Sequence, residues 1–190
     1  MRLMGLPSRA RAGRRRAMSA LFAALVAASP VQHALAQSPT NADARLAERN
    51  ITLPTPPIAS ANYAGAVQVG NLLFVSGHTS GPQWTPKGKV GKDVTVEQGY
   101  QAARQAGLFA LATVRAALGS LGRVKRIVKV VGMVNSAESF SEQPKVVNGF
   151  SDLMVDVFGE AIGKHARSAV GVAELPLNSP VEVEMIVEVN

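Results

Sequence analysis

The sequence contains no cysteine, one tryptophan and two tyrosines among its 190 residues. Without thiols there is no disulfide, no thiolate nucleophile and no Cys-ligated metal. Acidic residues are missing from the first 36 positions, which hold six arginines: Arg2, Arg9, Arg11, Arg14, Arg15 and Arg16. An apolar run long enough for a membrane span is missing there too. MSALFAALVAAS, Met18 to Ser29, has 12 residues, whereas a hydrocarbon core needs roughly 20, so no stable membrane anchor is expected.

What is present in that segment is an Arg-rich start, the short apolar run and the small residues ALA, Ala34 to Ala36, before Gln37. These are the three parts of an export signal. Residues 1–36 are therefore expected to be a signal peptide cleaved after Ala36, leaving an exported, periplasmic chain of 154 residues. Arg14 to Arg16 keep both a twin-arginine and a general export route open. The formal net charge of +7 and pI near 10.3 suggest a phosphate-bearing partner, but the suggestion dissolves with the signal. Of 20 basic residues six lie before residue 37, which leaves 14 against 13 acidic ones, a net of +1. No basic surface interleaved with aromatics remains, so a nucleic-acid partner is not expected. With 47% hydrophobic residues, the remainder reads as one globular domain large enough to bury a core without staples.

Residues 37–57, QSPTNADARLAERNITLPTPP, are polar and proline-rich and read as a linker or lead-in, with a short helix-compatible stretch around Ala42 to Arg49. The domain is expected over 58–190. AGAVQVG and NLLFVSG are two β-branched runs meeting at Gly70-Asn71, the signature of a hairpin. A Gly/Pro loop follows, with a short strand expected near Lys89-Val90. Thr95 with Gln98 forms a capping-box pattern ahead of a helix to about Leu118, whose Tyr100, Ala103, Gly107, Leu111, Val114 and Leu118 share one face. RIVKVVGMV, Arg126 to Val134, reads as a buried strand, and Pro144 to Phe158 as a second amphipathic helix stopped by Gly159. HARSAVGVAELPLNSPVEVEMIVEV, His165 to Val189, reads as two strands joined by a Pro-containing turn. The order ββ(β)αβαββ makes an α+β fold whose helices cover one sheet face.

Few residues point to chemistry. His78 and His165 stand 87 positions apart with no clustered carboxylates, so they read as loop histidines and no metal site is expected. Ser76 lacks the G-x-S-x-G elbow, and no Walker or G-x-G-x-x-G pattern offers a phosphate cradle. Arg167 differs: an always-charged fork of donors among small apolar residues requires an anion. Two partners fit equally from spacing, a ligand carboxylate or an internal ion pair with Glu182 or Glu184.

Taken together, NYAGAVQVGNLLFVSG (Asn62 to Gly77), TVEQGYQAAR from Thr95, VKRIVKVVGMV, Asn148 in KVVNGF, and ARSAVGVAELP followed by VEVEMIVEV resemble the RidA/YjgF enamine/imine deaminases over roughly Leu53 to Asn190. The resemblance implies a chorismate-mutase-like α+β fold, a mixed sheet with two helices packed on one face, assembled as a homotrimer with clefts between subunits. It implies no cofactor. Arg167 would bind the carboxylate of a 2-imino or 2-enamino acid and Glu182 would position the hydrolytic water. Tyr63, Ser76, Gly77, Asn148 and Ala169 match other cleft positions. The implied reaction is hydrolytic deamination to a 2-keto acid; the alternative is a noncatalytic small-carboxylate binder or protein-interaction module on the same trimer. The chain departs from the family pattern at His78, where many members carry Gln, and at Ala169, where some carry Cys.

Sequencing the N-terminus of the protein made by its native host tests the export reading: Gln37 is the expected first residue, and retention of Met18 would end that reading.

Overall fold

The computed structural model of the chain describes residues 42–58 and 61–190, so the cleavage expected after Ala36 lies outside the described residues. Five strands form one mixed sheet: β1 (Ala66–Val69), β2 (Leu72–Thr79), β3 (Val124–Asn135), β4 (Ala166–Val172) and β5 (Val181–Val189), in the spatial order β1-β2-β5-β3-β4. Only the β3–β4 pair is parallel. Two long helices, α2 (Val96–Leu118) and α3 (Gln143–Phe158), pack against each other, α2 over β2 and β5, α3 over β3 and β4. Short helices α1 (Ala42–Glu48) and α4 (Glu160–Gly163) flank α3.

The alternation of the strands separates core from surface. Val181, Val183, Met185, Val187 and Val189 of β5, with Ile127, Val130 and Val134 of β3, are buried beneath the helices. The intervening Glu182, Glu184, Lys129 and Val131 belong to the opposite, open face. The α2 start is as the capping box predicts: Thr95 Oγ1 accepts from the Gln98 N–H at 3.2 Å and Gln98 Oε1 accepts from the Thr95 N–H at 2.9 Å. The face of α2 toward α3 is lined by small residues, which lets the helices approach closely. A Cβ added at Gly149 would lie 1.9 Å from the Tyr100 carbonyl oxygen.

Three differences from the sequence reading have plain causes. Part of the expected lead-in packs into the core: Ala42, Leu46 and Leu53 are buried, and Arg49 pairs with Asp156 of α3 at 3.0 Å. Two apolar positions one helical turn apart are too few to stand out as a periodic face. The strand expected near Lys89 is a single bridged residue, Val90, because Gly88 and Gly91 confine it to a tight loop. Most consequential, β4 and β5 are not neighbours. The segment between them carries the chain past β3, which pairs with both.

Replacing Gly149 by Ala is expected to destabilise the protein by about 1–3 kcal/mol or more, since backbone and not a flexible side chain must yield. Thr95→Ala should cost about 1 kcal/mol through the lost cap. Urea midpoints of the two variants, compared at unchanged m-value, check the order.

Candidate active site

Arg167 stands opposite Val130 in the parallel β3–β4 ladder, and Val130 is fully buried on the helix side. Its side chain therefore meets α3. Nη1 donates to Asn148 Oδ1 at 2.9 Å and to Ser151 Oγ at 2.9 Å, and Nη2 donates to the Pro144 carbonyl at 3.4 Å. All three acceptors are neutral, and among the described residues no carboxylate pairs with this guanidinium. The internal ion pair with Glu182 or Glu184 does not form, because those residues lie on the far side of β3 and on the other face of the sheet.

Ser151 is in turn held by His165, with its Oγ 3.1 Å from Nε2. The other ring nitrogen, Nδ1, lies 2.7 Å from the Gly163 carbonyl, which can only accept, so the Nδ1 position carries the proton. Burial lowers the pKa of His165, the hydrogen bond to Gly163 opposes this, and the charge of Arg167 lowers it further. A neutral ring leaves Nε2 to accept the Ser151 hydroxyl proton, which turns the Ser151 lone pairs toward Arg167. Ser151 was not legible as a site residue; its only sequence signal is the three-residue spacing from Asn148 on a helix.

Glu182 occupies a second locus, an open pocket of about 360 Å³ lined also by Tyr63, Ser76, Gly77, His78 and Thr79. Here β2 carries a bulge: its pairing with β5 runs through Val75 and resumes at His78, leaving Ser76 and Gly77 to face one residue. Bulges re-aim side chains next to active sites. Gly77 leaves room for the Glu182 carboxylate in this position, since a Cβ there would come within 2.0 Å of Oε1 and make the side chain move. Ser76 Oγ donates to the Ala64 carbonyl at 2.6 Å and is engaged in the scaffold. The Glu182 carboxyl is pushed above its ordinary range by burial and, second, by the charge of Glu184 two residues on.

The bulge also corrects the reading of His78. Gly77 resembles a strand end, but the strand continues to Thr79, and His78 is a buried strand residue. Its Nδ1 lies 2.6 Å from the Ser76 carbonyl and its Nε2 2.8 Å from Thr113 Oγ1. Burial lowers its pKa against the opposing Ser76 hydrogen bond, so a neutral His78 uses Nε2 to tie β2 to α2 and Nδ1 to hold the Ser76 carbonyl within the bulged strand. His165 sits in the turn before β4.

The sequence-predicted residues thus fall into two groups. Tyr63, Ser76, Gly77 and Glu182 share the pocket. Asn148 and Arg167 meet on the α3 side, with Ala169 two residues along the same face of β4. Glu182 is opposite Met133 of β3 and Arg167 is opposite Val130. Met133 and Val130 are three positions apart, and an odd offset puts the two side chains on opposite sheet faces. One copy of the chain cannot bring its own Arg167 and Glu182 onto one small ligand.

A five-stranded mixed sheet covered on one face by two helices is the α+β architecture of the chorismate-mutase-like class. The family model described as "YjgF/chorismate mutase-like, putative endoribonuclease" matches residues 43–189, and the chain belongs to this YjgF/RidA family. Protein TCP17 of Trypanosoma cruzi is 45% identical over 155 residues, covering 77% of this chain and 93% of its own length. A 2-iminobutanoate/2-iminopropanoate deaminase of Dermatophagoides farinae is 32% identical over 142 residues, covering 74% of this chain and 95% of its own. A solved structure of unknown function from Agrobacterium tumefaciens superposes with a TM-score of 0.72 at 41% identity, covering 80% of this chain and 94% of that one.

The raised pKa of Glu182 has a sign. The folded protein holds that proton more tightly than the unfolded chain, so stability is lost as pH rises through the folded-state value. Glu182→Gln should melt above the wild type at neutral pH, and the gap should shrink as pH falls below the ordinary glutamate range. Thermal scans from pH 4 to 8 measure it; a variant less stable than wild type at pH 7 would contradict the assignment.

Proposed function

We propose that the protein is a homotrimeric hydrolase that converts 2-enamino and 2-imino acids to 2-keto acids and ammonia in clefts between subunits. The observation that carries the reading is Arg167, a permanent cation held in place by three neutral acceptors and left without a carboxylate. A planar guanidinium so oriented matches the two oxygens of a ligand carboxylate. Glu182 of a neighbouring copy supplies the second element. Its raised pKa makes the carboxylate a better proton acceptor near neutral pH than an ordinary glutamate.

The steps need little else. An enamine takes up a proton at its β-carbon and releases one from nitrogen to become the imine. Water held by Glu182 adds to C2 and gives one proton through the carboxylate to nitrogen; the proton of the new C2 hydroxyl then passes the same way to the amine as the C–N bond breaks, so that ammonia leaves and the C=O of the 2-keto acid forms. The substrate is already reactive, so orienting its carboxylate and one water accounts for the acceleration. Assembly is supported by the open sheet face, where Val67, Phe74 and Val170 are 52%, 43% and 44% exposed in a single chain, an apolar surface of the kind that another copy covers. The relative named as an imine deaminase supports the chemistry. Export to the periplasm belongs to the same proposal and implies a substrate met outside the cytoplasm.

The test generates 2-imino acids in situ with an amino acid oxidase and follows their decay and keto-acid release. Wild type should accelerate both over buffer. Arg167→Ala should lower kcat/KM by about 100-fold or more, as expected when a charge partner is truncated, with Arg167→Lys intermediate because it keeps charge and loses the fork. No acceleration across several side chains would sink the hydrolase reading; 2-keto acid binding that depends on Arg167 but brings no turnover would make the protein a carboxylate binder instead.

A further inference from the structure

The pocket beside Glu182 has a second wall of different chemistry, formed by Phe109, Leu177, Pro82 and Ile58. The Phe109 ring, carried by α2, lies over Gly81, where a Cβ would come within 2.8 Å of its edge. Leu177 is 67% exposed and Ile58 92%, so neither is there to fill the core. Leu177 also adopts a left-handed backbone, with φ 55°, as does Asn178, with φ 54°. That conformation is held from outside the turn. The Gly88 N–H donates to the Asn178 carbonyl at 2.9 Å, and the fully buried Asn135 donates through Nδ2 to Asn178 Oδ1 at 3.2 Å. A branched apolar side chain kept in a strained backbone and turned to solvent at a pocket rim is poorly explained by folding alone, and strain of this kind gathers at ligand sites.

We propose that this wall is a side-chain subsite which makes the protein selective for 2-imino acids bearing a bulky apolar group, aromatic or branched aliphatic, over the small imine related to alanine. The inference rests on the hydrolase reading above. The reacting carbon C2 carries three substituents. The carboxylate belongs to Arg167 and the nitrogen, with its incoming water, to Glu182. The third substituent must lie against what remains of the pocket, where the wall of Phe109, Leu177, Pro82 and Ile58 offers the apolar surface. Room is sufficient, since a cavity of about 150 Å³ already holds a benzene ring and this open pocket measures about 360 Å³.

Imines generated from alanine, leucine and phenylalanine are compared by kcat/KM, alongside stabilisation of the protein by pyruvate and phenylpyruvate. The leucine and phenylalanine imines should be preferred over the alanine imine by about 10-fold or more. Leu177→Ala should reduce that ratio several-fold. Leu177→Gly, which removes the same side chain and relieves the left-handed strain, should reduce it equally while raising the melting temperature, so loss of selectivity cannot be ascribed to unfolding. Equal turnover of the three imines by wild type, or an unchanged ratio in both variants, overturns the subsite. If no imine is turned over the hydrolase reading falls, and the subsite is then decided on binding: phenylpyruvate stabilising no more than pyruvate overturns it as well.

Discussion

The two-residue alternation of β5 governs what holds this molecule together and where it can act. In VEVEMIVEV every odd position is buried under the helices, and those five side chains, with the matching set from β3, form the floor of the core. The same period delivers Glu182, Glu184 and Glu188 to the other face. Glu182 and Glu184 stand two residues apart, and burial first, then the charge of Glu184, raises the proton affinity of Glu182. A strand that needed only to seal a core would gain nothing from like charges side by side. Their presence on a face that also exposes Val67, Phe74 and Val170 fits a surface meant to be covered and to hold something within it.

The placement of Arg167 follows from the same geometry by a different route. α3 returns the chain to the free edge of β3, where β4 adds in parallel, and the register opposite Val130 turns the arginine toward the helix. There Asn148 and Ser151, one turn apart on α3, accept from one nitrogen, and the neutral His165 ring fixes which way the Ser151 hydroxyl points. Each link is neutral. The cation is thereby oriented without being neutralised, which is the condition an anion receptor needs and a structural ion pair would defeat. Because parity places Arg167 and Glu182 on opposite faces, the distance between them within one chain is irrelevant to any joint role; what matters is how one copy's helix side meets another copy's pocket.

Much of the fold was legible because its signals are local. The capping box at Thr95, the glycine after each long helix, and the valine-rich runs of β3 and β5 mark elements to within a residue or two, and the motifs around Arg167 and Glu182 single out the two candidate loci. What was not legible is long-range or irregular. Periodicity says which side chains share a face but not which strand lies alongside, so β4 and β5 read only as two strands joined by a turn, when β3 lies between them. A bulge is invisible to an alternation rule, and Gly77 therefore resembled a strand end, hiding the burial of His78. Ser151 and Phe109 carry no motif, and Leu177 carries only the oddity of an aliphatic residue between Pro176 and Asn178, whose meaning depends on a backbone angle that sequence does not encode.

Glu182 and Gly77 show how stability and chemistry are exchanged within this site. Partial burial removes water from the carboxylate and, with the charge of Glu184 adding to it, raises its pKa. A carboxylate in bulk solvent would be cheaper to fold and a poorer base. The absent Cβ of Gly77 lets Oε1 occupy space that any other residue would claim, and the bulge in β2 creates that space by breaking two ladder positions. Strand irregularity, a missing side chain and an unfavourable carboxylate environment each cost stability singly. They occur together at one place, around the Glu182 carboxylate.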